Sequence, residues 1–268
     1  VASTYPLEER RMSSPATFDA PELSRAYADL RRQEGRPNDE IETPALRSLL
    51  PALTGLRVVD LGCGAGQMAS WAADQGASAV RAFDASARMI EKARAAAGRP
   101  VVEYAVLPIE DIALAPGSAD VVMSGLAFHY IQDIEALFSR IHGWLAPGGL
   151  LAFSVEHPIM TCAARAWFHD ERGERLHWPV DRYLEEGGRT VEWLGTTIER
   201  VHRTVSSYAR ALIGAGFQIV DMREPAPTSD QIERWPALGD HRRRPPFLLM
   251  AGRSASTPGT DFQIRTRS

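Results

Sequence analysis

Short apolar runs rich in β-branched residues alternate with longer segments whose apolar residues recur every three or four positions. The runs lie at 56–61 (LRVVDL), 79–83 (AVRAF), 101–106 (VVEYAV), 120–124 (DVVMS) and 149–155 (GLLAFSV). Each has strand length and is bounded by turn residues. Helical spacing covers 65–75, 86–97 and 132–145 between them. In the last of these Ile134, Leu137, Phe138, Ile141 and Leu145 share one face, and Pro147-Gly148-Gly149 predicts the stop. In MIEKARAAAG the helix formers run out at Gly98. Repeated β-α-β units imply a mostly parallel sheet covered by helices on both faces.

The flanks continue the pattern less regularly. Segments 19–34 and 44–52 read as helices before the first strand. After the fifth strand, 157–203 breaks the alternation with Trp167, Trp178, Trp193, His169, His177 and Tyr183 among many charges, and reads as an insertion. A helix at 204–217 closed by Gly216 follows, then strand candidates at 217–224 and 246–253. The expected organisation is a flexible segment at 1–18, a domain at 19–253 with 157–203 as a substrate lid, and a flexible tail at 254–268.

Composition narrows the class. The chain has 268 residues, 44% hydrophobic and 24% charged, ordinary values for a globular domain with a full core. Its net charge of −4 argues against a general nucleic-acid binder. No apolar run is long enough to span a membrane, and the N-terminal stretch lacks a signal-peptide core. Two cysteines, Cys63 and Cys162, do not make a disulfide framework, so a reducing, cytoplasmic setting is expected.

The chemistry starts at VVDLGCGAGQMAS, residues 58–70: a strand, a glycine-rich turn and a helix start. Ligands of an open parallel sheet bind at such turns, outside the carboxyl ends of the strands. Gly62, Gly64 and Gly66 give the spacing G-x-G-x-G, with Gln67 where the dinucleotide fingerprint wants glycine, and no P-loop lysine follows. Pyrophosphate cradling is therefore disfavoured. Asp84 ends the second strand about 20 residues past the glycines, where an acid accepts ribose hydroxyls. A ligand with a ribose and no phosphate suits the pattern.

The turn DLGCGAG, Asp84, the segment ADVVMSGLAFHY and L-x-P-G-G before the fifth strand together resemble the class I S-adenosylmethionine-dependent methyltransferases. The similarity spans about 20–155 and is nearest to bacterial small-molecule enzymes, including those of natural-product (secondary) metabolism. It implies a Rossmann-like seven-stranded α/β sheet, S-adenosylmethionine as cofactor and S-adenosylhomocysteine as product. Backbone around Gly62, Cys63 and Gly64 would line the methionine portion, with Asp60 supporting the turn and the ligand's ammonium. Asp84 would hold the ribose, with Ala85 and Met89 beside the adenine. The family commonly has an acid after strand three; here Pro108-Ile109-Glu110 stands, so the adenine contact passes to the Ile109 N–H. Ser124, Gly125 and Leu126 would meet the methionine end, and Tyr27 in SRAYADL matches a helix that closes over the cofactor. Cys63 is expected only as a small turn residue.

Methyl transfer from a sulfonium is an in-line displacement, governed by alignment and exclusion of water, and needs a base only for a protonated nucleophile. The candidates are His129 after strand four, and Glu156 and His157 after strand five. Pro158 leaves a second reading for EHP, that of steering the chain into the insertion. His202 is expected to be structural. The insertion's tryptophans either stack on a flat substrate or form their own small core, and HRRR (241–244) is either a solvated cluster or an anion catch. No metal is implied, because the histidines lack ligand spacing. The expected partner is a small-molecule methyl acceptor, aromatic or indole-like, modified at carbon, nitrogen or oxygen. A protein or tRNA acceptor would favour a basic face or an N-P-P-Y-like tetrapeptide, where this chain has SGLAF. A non-catalytic protein on the same fold is the other alternative. Oligomeric state is not legible.

Overall fold

The computed structural model describes residues 19–96, 98–162 and 167–255; the segments expected to be flexible, 1–18 and most of 254–268, lie outside them. Seven strands form the central sheet: β1 (Arg57–Leu61), β2 (Ala79–Asp84), β3 (Val102–Val106), β4 (Ala119–Gly125), β5 (Leu145–Glu156), β10 (Phe217–Arg223) and β11 (Phe247–Ser254). Their order is β10-β11-β5-β4-β1-β2-β3. Neighbours from β3 to β5 pair in parallel, and β11 runs antiparallel to both β5 and β10. This is the expected Rossmann-like, mostly parallel sheet.

The inner strands were legible because both faces are covered and their side chains are largely apolar, whereas the edge strands β3 and β10 alternate covered and exposed positions. In β11 all residues except Arg253 are buried. On one face lie α5 (Ile134–Trp144) and α7 (Val205–Gly214), on the other α2 (Thr43–Leu49), α3 (Gln67–Asp74) and α4 (Ala87–Ala96); α1 (Pro21–Arg32) precedes them. The α5 face centres on Phe128, Phe138 and Phe153, with ring centroids 5.2 to 5.8 Å apart. Asp133 caps α5 by accepting from the Ala136 N–H at 2.8 Å, and the Thr204 hydroxyl caps α7 from Ser207.

Several elements differ from expectation. Strand β5 begins at Leu145, before the anticipated Pro-Gly-Gly turn, and its register against β4 shifts between Ala119 and Val121. A π-turn at Asn38–Glu42 leads into α2. Within the insertion the chain forms a short helix α6 (Pro158–Thr161) and two hairpins, β6 (Phe168–His169) with β7 (Arg175–His177), and β8 (Gly187–Trp193) with β9 (Thr196–His202). Burial along β8 alternates without one fully covered residue, so no apolar run announces it. Helix α8 (Ser229–Arg234), opened by a Thr228/Gln231 capping box, and a 3₁₀ segment at Pro236–Arg242 lie between the last two strands, where the pattern predicts no element. No helix among the described residues is long and apolar enough to cross a membrane.

Replacing Phe153, which is fully buried between Phe128 and Phe138, tests whether this aromatic centre carries the core. Phe153→Ala is expected to lower unfolding free energy by about 3–5 kcal/mol in urea titration; a loss under about 1 kcal/mol would refute that placement.

Candidate functional site

The carboxyl ends of β1 and β4 are neighbours, and the chain leaves them in opposite directions around the sheet. Such a reversal of strand order is where the ligand crevice of an open parallel sheet forms. Its floor is the turn after β1. The N–H groups of Gly62 and Cys63 both donate to the Phe83 carbonyl, at 2.8 and 2.9 Å. Gly62 has φ +73°, and a Cβ there would stand 2.5 Å from the Ala127 Cβ. Gly66, at φ +80°, lies as close to the Tyr104 hydroxyl, 2.4 Å from an added Cβ. Glycine is required at both positions by backbone sign and by contact.

Asp60 ends β1 beneath this turn and is 2% exposed. It accepts a backbone bond from Ala69, while its Oδ2 is shielded from solvent without a hydrogen-bond partner among the described residues. Burial, reinforced by nearby Asp84, pushes its carboxyl up to about 7. A buried carboxylate oxygen without a donor is costly unless a cation or donor arrives. Burial also raises the Cys63 thiol, so Cys63 is no activated nucleophile.

Asp84 sits at the neighbouring strand end. Its Oδ2 accepts from the Gly64 N–H at 2.8 Å and its Oδ1 from the Ser86 N–H at 2.9 Å. Burial raises its carboxyl, while both N–H bonds oppose the rise. Each oxygen retains a lone pair for a further donor. Ser86 in turn donates to Asp19 Oδ1 at 2.5 Å, which ties the chain before α1 to this edge. Ala85 is half-buried and Met89 is buried below it. Pro108 precedes a 3₁₀ turn, Ile109–Asp111; Ile109 is buried, and its Cδ1 would lie 3.7 Å from a Cβ on Gly62. Glu110 is exposed.

At the end of β4 the Ser124 hydroxyl donates to the Leu61 carbonyl at 2.8 Å. Leu126 has φ +56°, a left-handed value rare for leucine. Two acceptors hold it there: its N–H reaches the Ser154 carbonyl at 3.1 Å and the Ser154 hydroxyl at 3.0 Å. Ser154 donates to Glu42 Oε1 at 2.5 Å. Glu42, buried in the π-turn and close to Gly125, is a site residue that sequence reasoning missed.

A second group of side chains borders the crevice from the insertion side. Trp193, at the end of β8, meets Tyr27 of α1 with ring centroids 5.8 Å apart. Glu156 pairs with Arg200 of β9, which is 3% exposed. Burial raises the Glu156 carboxyl and the Arg200 charge opposes that rise. The Arg200 guanidinium also lies 6.0 Å over the Tyr130 ring, whose hydroxyl burial pushes up to about 12. His129 is buried against Tyr130, at 4.4 Å between ring centroids. Burial, then Arg200 and Arg203, hold its imidazole well below the usual histidine value, so it is neutral. Its Nδ1 accepts from the Glu156 N–H at 3.4 Å, which places its own proton on Nε2.

His157 stands apart in function. Its Nδ1 accepts from the Ile159 N–H at 3.2 Å, capping α6, and its Nε2 bonds Glu224 at 2.6 Å. Both ring nitrogens are engaged in holding the chain. His202 bridges Thr161 at 2.7 Å and the Tyr183 carbonyl at 2.9 Å. The structure thus gathers Tyr27, His129 and Glu156 toward one side of the crevice and the Asp60, Gly62, Asp84 group toward the other. Arg200 was also missed, because within TTIERVHRT it stands among Glu199, His202 and Arg203 and nothing local marks it as buried.

Comparison with known proteins bears on this geometry. A family model described as "Methyltransferase domain" matches residues 59–153, the segment from β1 to β5. A solved structure, the S-adenosylmethionine dependent methyltransferase from Mesorhizobium loti, is 44% identical, covers 79% of this chain and 97% of that one, and superposes with a TM-score of 0.75. A Haemophilus influenzae protein named only as uncharacterized is 35% identical over 248 residues, 89% of this chain and 96% of that protein. The ubiquinone biosynthesis O-methyltransferase of Rhizobium etli is 32% identical over 143 residues, so that the match spans 53% of this chain and 55% of that protein. The malonyl-[acyl-carrier protein] O-methyltransferase of Enterobacter lignolyticus is 36% identical over 111 residues, 43% of its length.

The raised Asp60 carboxyl makes stability depend on pH. The folded chain holds this proton up to about pH 7, against 3.8 for the ordinary group. The stabilising contribution is therefore present in full below about pH 4 and is lost as pH rises through about 7. Asp60→Asn is expected to remove this loss, worth a few kcal/mol, so the variant gains on the wild type between pH 5 and 8 in urea unfolding. Parallel pH profiles for the two proteins would contradict it.

Proposed function

The chain belongs to the class I S-adenosylmethionine-dependent methyltransferases, and on that premise we propose that it methylates a small molecule, an aromatic or indole-like natural-product intermediate, seated between α1 and the insertion. The cofactor reading is supported by one observation above others. The buried Asp60 Oδ2 has no donor, and it lies under a glycine turn that excludes side chains from the crevice. A cationic, ribose-bearing ligand suits both features. The donor set fits the cofactor. Bound there, S-adenosylmethionine supplies an electrophilic methyl group on a sulfonium and is left as S-adenosylhomocysteine.

The residues divide the work as follows. Asp84 accepts the ribose hydroxyls through the lone pairs that Gly64 and Ser86 leave free. Asp60 faces the ammonium, with Gly62, Cys63 and Gly64 lining the methionine portion. Ala85, Met89 and the Pro108-Ile109-Glu110 turn border the adenine. Ser124, Gly125 and Leu126 offer backbone to the methionine end, and Glu42 acts through Ser154 as a positioning residue for Leu126. Tyr27 with Trp193 excludes water from the side where the acceptor enters.

Glu156 is the group best placed to take a proton from a phenol or indole, or to stabilise a cation developing on a ring. Arg200 holds its carboxylate in one orientation and opposes the rise that burial imposes on it. His129 donates from Nε2 to an oxygen of the acceptor. His157 positions Glu156 by fixing the turn into α6. The two named O-methyltransferase relatives favour oxygen as the acceptor atom, over the half-length that they share with this chain. A nucleic-acid acceptor is disfavoured by the net charge of −4.

Incubation with methyl-deuterated S-adenosylmethionine and a panel of phenols, indoles, amines and keto acids is expected to yield a labelled small molecule by mass spectrometry. Tight cofactor binding with label on no member of the panel would argue against the acceptor class. Asp84→Ala is expected to weaken S-adenosylhomocysteine binding about 100-fold by calorimetry, two lost charge-assisted hydrogen bonds being worth roughly 3 kcal/mol. Unchanged affinity would remove Asp84 from the ribose site.

A further inference from the structure

The insertion holds a second concavity beside the crevice. It has a volume of about 290 Å³ and is lined by Trp167, Trp178, Leu176 and Val180 and by Arg243 and Arg244. The two indoles meet edge to face, with centroids 5.6 Å apart and planes at 78°. Arg243 lies over Trp167 at 4.5 Å and Arg244 over Trp178 at 4.1 Å. Arg175 approaches Trp167 at 5.9 Å. Two arginines of the run HRRR, Arg243 and Arg244, are laid on the insertion's aromatic wall, while Arg242 and Arg243 stay exposed.

The charges there do not balance. Three guanidiniums converge, and the carboxylate beside them, Asp240, is paired with Arg175. Glu156 acts on Arg244 from the crevice side but is already paired with Arg200. Arg244 Nε is shielded from solvent with no hydrogen-bond partner among the described residues. Burial and the like charge of Arg175 lower the Arg244 guanidinium from its ordinary value. An anion placed here would relieve both the repulsion and the desolvation. The apolar wall adds a requirement for a ring: Leu176 and Val180 are 51% and 55% exposed at its rim, and the indole edges offer aromatic contact. Pockets for whole drug-sized ligands run from about 300 to 1,000 Å³, so this volume suits one or two rings, not a cofactor.

We infer that this concavity is a subsite for the methyl acceptor, taking a planar aromatic group that bears a carboxylate, with the ring against Trp167 and Trp178 and the carboxylate between Arg243 and Arg244. The assignment to the acceptor rests on the methyltransferase reading above. A neutral ring would satisfy the indoles and leave the guanidiniums uncompensated. Ile159, which lines the concavity, lies three residues past Glu156 in the helix that follows β5, so the subsite adjoins the carboxyl end of that strand.

The test uses the full chain with indole-3-carboxylate and its neutral isostere indole-3-carboxamide as probes, followed by tryptophan fluorescence and calorimetry. Wild-type protein is expected to bind the carboxylate at least tenfold more tightly than the carboxamide. In Arg243→Met/Arg244→Met that preference is expected to vanish, with S-adenosylhomocysteine affinity unchanged. Raising salt on the wild type should weaken the carboxylate and not the carboxamide, which keeps the test decisive if the double variant folds poorly. Equal binding of both probes, no saturation by the carboxylate, or a preference that survives the double substitution would overturn the subsite. A wild-type chain that prefers the carboxylate yet fails to bind S-adenosylhomocysteine would overturn the acceptor assignment through the methyltransferase reading, not through the pocket.

Discussion

The contact between Gly62 and Ala127 sets the whole carboxyl edge of the sheet. Strands β1 and β4 lie side by side, and the loops leaving them have to pass within van der Waals distance. No side chain fits at position 62, and the left-handed φ there turns the chain sharply enough to expose its N–H groups toward the Phe83 carbonyl. Once the turn is fixed, Asp60 cannot reach solvent, Asp84 is within reach of the Gly64 N–H, and Ile109 is drawn beneath the glycine. A larger residue would have to push the β4 loop outward. Leu126, already strained at φ +56°, could not follow without breaking its two bonds to Ser154. The strain is tolerated because the neighbouring strand over-determines it, a common arrangement at functional sites.

Around this edge most buried charges are neutralised within the fold, and the exception carries the functional weight. Glu42 is bonded by Ser154 and Thr43, Glu156 by Arg200, and Arg203 by the carbonyls of Ile131 and Gln132. These contacts fix geometry and leave little for a ligand to do. Arg200 Nε and Arg203 Nη1 still lack an acceptor among the described residues, and Asp60 is the buried carboxylate with an oxygen that lacks a donor. The apo fold meets that cost by holding a proton, and a cationic ligand would meet it instead. Stability and ligand affinity are thus drawn from the same carboxylate, in opposite senses of pH.

What was legible in the sequence follows from burial. Strands covered on both faces had to be apolar throughout, and the turn between β1 and α3 had to carry glycine, so the sheet and the glycine turn were readable. Asp84 was readable because the distance between two consecutive strand ends is nearly fixed in such folds. The hairpins of the insertion were not, since β8 alternates half-buried and exposed residues and is dense in charge. Glu42 reaches Ser154 across 112 positions and Arg200 reaches Glu156 across 44. No local pattern encodes such pairs. His157 was readable as a cap or as a base, and only its two engaged ring nitrogens separate those roles.

The insertion resolves the same tension between packing and function in its own way. Its tryptophans read equally as a small core or as a substrate platform, and in the fold they pack on one another and on arginines while bordering a concavity. Trp178 donates its indole N–H to the Ile159 carbonyl at 3.0 Å, anchoring the hairpin to α6, while its face is covered by Arg244. Trp193 leaves that cluster and reaches Tyr27. A lid built this way is tied to the sheet through α6 and β9, where His202 and Arg200 are buried, yet its outer rim stays apolar and cationic. Rigid attachment near the chemistry aligns Glu156. Arg243 and Arg244 reach the insertion's tryptophans from the segment before β11, apart from the Glu156–Arg200 pair, so under the proposed reading binding and positioning fall to separate side chains.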